Sequence, residues 1–150
     1  MRVHSGIVVT AVTAAMVVAP TAAAQPDVSD YVRTESGRVR CLVMSSDIGH
    51  DGDPAVVCEA SGDDRQGFLE APIGEAGLHW HNAVIDAAGD FEWGDGNIGG
   101  AYLEDDVVLR YGRTYHLQGW SISPSSDGTR FTNDATGHGM FVSVENVDSF

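Results

Sequence analysis

Two stretches decide the fold: Arg38-Val39-Arg40-Cys41-Leu42-Val43-Met44 and, after a turn-rich loop, Ala55-Val56-Val57-Cys58-Glu59. Both are short, apolar and rich in β-branched residues. In the first, period-two alternation puts Val39, Cys41 and Val43 on one face, as a half-buried strand requires. The loop from Ser45 to Pro54 carries the Asp, Gly and Ser residues that turns favour for backbone reasons. Pairing the two runs as an antiparallel hairpin, with the turn near Gly49-His50, sets Cys41 opposite Cys58. These are the only cysteines. An even count in an oxidising compartment reads as a disulfide, here one that staples a hairpin. A metal site or a catalytic thiol would need clustered ligands or a reducing setting, and neither is evident. Closing such a loop stabilises the fold by about 3 kcal/mol on the chain-entropy model.

The compartment is read from residues 1–24. Arg2 supplies a positive start, Gly6 to Ala19 form an uncharged apolar run, Pro20 breaks it, and Ala22-Ala23-Ala24 precede Gln25. That is the pattern of a secretory signal peptide with an A-x-A cleavage site. The apolar run is too short to span a bilayer, and no later stretch approaches spanning length, so no transmembrane anchor is expected. Residues 25–30 read as a mobile lead-in and residues 31–150 as one all-β domain. The expected location is extracellular or associated with the cell envelope.

Beyond the first hairpin the same rhythm continues. Gly67 to Glu70 reads as a short strand, Leu78 to Ala87 as another, and Asp90 to Trp93 alternates with Phe91 and Trp93 inward. Asp106 to Arg110 leads into the turn at Tyr111-Gly112. Thr114 to Ser123 is the longest strand candidate. Asp127-Gly128 is a strong hairpin signal, Thr129 to Asn133 returns, and Met140 to Val144 is the last strand. Turns at this spacing predict an antiparallel β-sandwich or small barrel. The expected core is Val39, Val43, Val57, Phe91, Trp93, Leu109, Leu117, Trp120, Phe141 and Val144.

Charge excludes some partners. All eight basic residues are arginine, and loss of Arg2 leaves seven against 22 carboxylates, a balance of −15. Such a surface repels nucleic acid and anionic membranes. Its plain reading is solubility, and its sharper one is attraction to cations or to a basic partner. No G-x-S-x-G elbow marks a serine nucleophile, and carboxylates are too frequent for any pair to stand out.

The densest candidate for chemistry is His79-Trp80-His81. On a strand, residues i and i+2 share a face, so the two imidazoles could converge on zinc or another divalent metal, with Asp86 as a third ligand. This is the opening of a cupin-like metal motif. The second half of that motif is not recognisable, and the plainer reading is two surface histidines flanking a core tryptophan. The loops Asp47–Asp53 and Asp90–Asn97 offer hard oxygen ligands but lack the ligand order of a calcium loop, so calcium is not expected. Trp80, Tyr111, Tyr115, His116 and His138 are candidates for contacting a ligand, for example a glycan laid on aromatic faces.

The motifs Thr34-Glu35-Ser36-Gly37 with Cys41, Leu109-Arg110-Tyr111-Gly112, Ser125 to Asn133 and Thr136-Gly137-His138-Gly139 resemble those of small secreted proteins of mycobacteria and related actinobacteria. They share S-G-x-x-x-C, a Y-G turn, a T-N segment and T-G-H-G. The resemblance implies no catalytic residue. Some relatives of this kind carry extra cysteines where Ile122 and Phe131 stand, which implies that an apolar pair here replaces a disulfide across the Asp127-Gly128 hairpin. The expected function is that of a non-enzymatic, monomeric module binding an extracellular protein or glycan without a cofactor. The alternative is a metal-binding protein or metal-dependent enzyme built on His79 and His81.

Overall fold

Alternation along the strands fixes two inner faces, and the chain stacks them. The computed structural model describes residues 29–46, 52–61, 66–100 and 103–150. Over these residues the strands are β1 (Ser29–Thr34), β2 (Val39–Met44), β3 (Ala55–Ala60), β4 (Asn82–Asp86), β5 (Phe91–Gly94), β6 (Val107–Leu109), β7 (Tyr115–Leu117), β8 (Trp120–Pro124), β9 (Thr129–Asn133), β10 (Gly139–Val142) and β11 (Val147–Ser149). Six form one sheet in the order β5-β4-β3-β2-β1-β6, and five form the other in the order β11-β10-β9-β8-β7. All neighbours are antiparallel except β1 and β6, which run parallel with Val32 opposite Val107. The predicted all-β sandwich is the fold the chain adopts.

The core lies between the sheets. Val32, Val43, Val56, Cys58 and Ile85 face Trp120, Ile122, Phe131, Met140 and Val142, all of them without solvent exposure. Cys41 stands directly opposite Cys58 in the β2–β3 register, and the two are joined with their Cα atoms 4.0 Å apart. Ile122 and Phe131 likewise face each other across β8 and β9, so an apolar pair fills that position. Phe91, Trp93, Leu117 and Val144 pack against the core from its rim, as their alternation predicts.

Several expectations are corrected. Val57 pairs with Leu42 and Val84, on the face of the first sheet that turns away from the core. Phe141 lies opposite Arg130 and Asp148 on the outer face of the second sheet, over Gly128. The long strand Thr114–Ser123 is really the hairpin β7–β8, because Gln118 and Gly119 take φ values of 53° and 80°. Two successive left-handed residues make the tight turn whose twist suits a hairpin. Gly67 to Glu70 is not a strand, although Phe68 from this segment is fully buried. A further strand, β11, follows the expected last one. Ser29 and Asp30 already belong to β1 rather than to a lead-in. The hairpin turn near Gly49-His50 and the signal segment 1–24 lie outside the described residues.

The outer face of the first sheet is partly roofed. Arg40 points outward from β2, yet its side chain is 9% exposed. Its Nε and Nη2 donate to the two Asp106 oxygens at 2.7 and 2.8 Å, and Nη1 donates to the Gly99 carbonyl at 2.5 Å. The guanidinium lies 4.5 Å from the Tyr31 ring centroid, and Tyr31 Oη donates to the Ile98 carbonyl. A cation with a bidentate partner, a carbonyl and an aromatic face is satisfied without water. The group thereby fastens loop 95–100 over the sheet. The bond to Asp106 raises the Arg40 pKa above its ordinary value.

Candidate functional site

Strand directions sort the loops into two ends. β1 and β3 finish, and β2 and β4 begin, at what we call the upper end. There lie the turn 35–38, the connection 61–81, the start of loop 94–100 and, because β6 is parallel to β1, residues 110–114. The turns 125–128 and 143–146 join them: the Gly112 amide donates to the Pro124 carbonyl, and the Leu69 amide to the Val144 carbonyl. The turns 87–90, 118–119 and 134–138 occupy the lower end.

This division separates the candidate residues. His79, Trp80, His81 and Tyr111 are at the upper end, while Asp86 and His138 are at the lower. The strand predicted over Leu78–Ala87 begins only at Asn82, so His79 and His81 are not held to one face by a pleat. His79 forms an isolated bridge with Ile73, and its Nδ1 lies 2.6 Å from the Ala71 carbonyl. The length of β4 divides Asp86 from His81, and its Oδ1 accepts from the Asp90 amide at 2.9 Å within the β4–β5 turn. Among the described residues no three His, Cys, Asp or Glu side chains are grouped to hold a metal. Residues 47–51 of the first acidic loop lie outside the described residues. In the second, Asn97 Oδ1 accepts from the Gly99 amide.

Tyr115 and the histidines at 116 and 138 have local partners. Tyr115 Oη accepts from the Arg110 amide and donates to the Val108 carbonyl, with its ring against the core. On the outer face of the second sheet, Ser121 Oγ lies 3.0 Å from His116 Nδ1 and donates to Asp134 Oδ1 at 2.5 Å. The hydroxyl proton is aimed at the carboxylate, and the imidazole does not sit between serine and acid. A general-base triad needs the opposite order. The His138 amide donates to Thr136 Oγ1, which itself donates to the Ala87 carbonyl at 2.6 Å. The T-N and T-G-H-G motifs thus dock the second sheet on the β4–β5 turn. Asn133 Oδ1 accepts from the amides of Ala135 and Thr136, an Asx turn. At Gly139 a Cβ would lie 1.9 Å from the Phe131 carbonyl oxygen, so only glycine fits.

Three of the molecule's shallow depressions lie at the upper end. One is lined by Ser36, Arg38, Tyr111, the Ser125–Gly128 turn and Glu145. Arg38 pairs there with Glu145 at 2.6 Å, and nearby Arg110 pairs with Glu35 at 3.3 Å. The Glu35 carboxyl is held below its ordinary pKa by the Tyr111 amide first and by Arg110, and the Glu145 carboxyl by Arg38. The other two depressions lie between connection 61–81 and loop 94–97. Ile73, Gly74, Glu75, Ala76, Trp80 and Asp95 line one, and Glu59, Ser61, Leu78, His81 and Asn97 are among those lining its neighbour.

Backbone bonds fix the shape of this connection. The Trp80 amide donates to the Pro72 carbonyl, the Phe68 amide to the Trp80 carbonyl, and the Gly74 amide to the Leu78 carbonyl. Gly67, at φ +73°, passes so close beneath His79 that a Cβ would lie 2.3 Å from its carbonyl oxygen. The connection therefore holds Trp80 half-buried while leaving Ile73 64% and Leu78 46% exposed. Sequence reasoning passed over Ile73, Leu78, Glu59 and Glu75. The available signal was length, because a connection this long within a compact domain is usually functional.

Residues 11–148 match a family model described as a family of unknown function. No curated protein and no solved structure matches the chain.

Proposed function

The chain belongs to DUF6636, a family of unknown function, and from that starting point we propose that it is a secreted or envelope-associated, non-enzymatic module that binds an extracellular protein or glycan at the upper end of its sandwich. One observation carries the reading. Ile73, Leu78 and the half-buried Trp80, together with two adjoining depressions, gather on a single braced connection. Loops at one end of a sandwich, positioned by a rigid scaffold, are where such folds place binding residues. The disulfide and the signal-like residues 1–24 support secretion. So does the resemblance to small secreted actinobacterial proteins. No helix among the described residues is long and apolar enough to cross a membrane.

The test uses the oxidised protein from residue 25 onward, immobilised and offered purified envelope glycans and purified secreted proteins. Ile73→Ser with Leu78→Ser should weaken whatever binds by about tenfold or more, the size expected for apolar anchors at a contact. Leu103→Ser, a change at an equally exposed leucine on the 3-10 turn Leu103–Asp105, should leave binding unchanged. Equal loss in both variants would remove the site from the upper end. Zinc should leave the melting midpoint where it is. A rise with zinc that His79→Ala and His81→Ala together abolish would replace this reading by a metal-binding one, since a ligand that binds only the native state raises stability by mass action.

A further inference from the structure

We infer that the partner seated on residues 73–81 is a protein segment that is cationic and amphipathic, presenting Arg or Lys alternating with aliphatic side chains. The inference rests on the binding-module reading and deepens it. Two independent features of the same surface carry it.

The first is exposed negative charge. Glu75 and Asp95 line the depression that holds Ile73 and Trp80, and no described arginine lines it; Glu59, in the neighbouring depression, stands opposite Arg40 in the β2–β3 register and is attracted to it. Elsewhere the described arginines are largely engaged: Arg38 with Glu145, Arg40 with Asp106, Arg110 with Glu35, and Arg130 over the Phe150 ring at 3.5 Å. Near Tyr111, Glu145 and Glu35 each meet an arginine, whereas no described arginine pairs with Glu75 or Asp95. A local field of one sign raises the encounter rate with the opposite charge and rejects like-charged partners.

The second is aliphatic exposure. Ile73 and Leu78 are exposed, Ile73 in the depression with Trp80 and Leu78 in its neighbour. Aliphatic side chains do nothing for a sugar, which is held by aromatic faces and hydrogen bonds. They do suit the apolar side chains of a polypeptide, whose burial supplies affinity. Acid and aliphatic groups side by side fit an occupant with cations and aliphatics at similar spacing. Trp80, which lines the same depression as Ile73, Glu75 and Asp95, can take a guanidinium against its ring.

The experiment follows the amide and indole N–H resonances of the oxidised, isotopically labelled protein. The probes are a short peptide of alternating Arg and Leu, the same peptide with Gln for Arg, and a neutral oligosaccharide. The Arg–Leu peptide should move resonances of residues 73–81 and 94–97 and the Trp80 indole N–H, while the buried Trp120 indole stays put. The Gln–Leu peptide should bind about tenfold or more weakly. Ile73→Ser with Leu78→Ser should cost a similar factor. Glu75→Gln with Asp95→Asn should weaken binding and flatten its salt dependence, because screening acts on the pairs removed. Glu104→Gln with Asp105→Asn removes the same charge from the remote 3-10 turn and should change neither. If that remote pair weakens binding equally, the attraction is only net charge, and the cationic-partner inference fails while the module reading stands. If the oligosaccharide moves these resonances and the Arg–Leu peptide does not, the partner is a glycan and the inference is overturned, again with the module intact. If neither probe moves them and the Ile73/Leu78 variant retains all binding in the immobilised assay, both readings fall.

Discussion

Arg40→Met should destabilise the protein by about 3–5 kcal/mol, the cost of leaving one member of a buried ion pair alone. The Asp106 side chain is 1% exposed and takes both its short charged bonds from Arg40. Without them the carboxylate is stranded, and the Gly99 carbonyl loses its donor. Asp106→Leu should cost a comparable amount for the mirror reason. The double variant Arg40→Met/Asp106→Leu should cost clearly less than the sum, because apolar side chains of similar size can fill the space without an unpaired charge. Urea unfolding of the four proteins forms the cycle. Additive single effects would show that the two side chains do not act as a unit. Arg40 has its pKa raised by Asp106, so its part is lost only as pH climbs through that elevated value, far into alkali.

Replacing Cys41 and Cys58 together by alanine should lower stability by about 3 kcal/mol, from the freedom returned to the unfolded chain, with a smaller addition for the volume left in the core. The two residues are 1% and 0% exposed. A thiol reagent therefore reaches the bond only when the hairpin opens, and reduction of the native protein should be slow and should speed up with added urea. Intact mass of non-reduced protein should lie two hydrogens below that of the reduced form. A variant that melts with the wild type, or a bond reduced at once under native conditions, would refute the role assigned to the staple.

Alternation made half of the fold legible. Val39, Cys41 and Val43 sit inward as their spacing says, and so do Phe91 and Trp93. It failed where a short-range signal is weak or missing. Gln118-Gly119 turns the chain because a glutamine accepts a left-handed φ, and a glutamine carries no such warning in a sequence. Phe68 fills the core from an irregular segment, for which period two predicts nothing. Val57 continues an apolar run, but in register it falls on the outer face. The candidate site was less legible still. His79 and His81 look paired only if the strand begins at Leu78, and it begins at Asn82. Nothing local to Arg40 in the sequence reveals that Gly99 and Asp106 come back over it. The T-G-H-G motif drew attention to His138, yet the exacting residue there is Gly139, pressed against the Phe131 carbonyl. Exposed aliphatics such as Ile73 become visible only once the rest of the apolar set is known to be inside.

The seam between β1 and β6 bears on the order in which the molecule assembles. Every strand of the second sheet meets its predecessor through a short turn, so that sheet can grow by successive local closures. Val32 meets Val107 only after roughly 75 residues of chain have been gathered in, an entropic toll that places this contact late. A contact made after the rate-limiting barrier governs how fast the native state comes apart rather than how fast it forms. Val107→Ala should therefore accelerate unfolding and leave the refolding rate nearly unchanged, and the amides of β6 should exchange with solvent before those of β2 and β3. A slowed refolding limb would place the seam in the nucleus instead. The buried Arg40–Asp106 clasp sits one residue from this seam and thereby acts as a latch on the last strand to arrive, setting the lifetime of the folded protein more than the route by which it is reached.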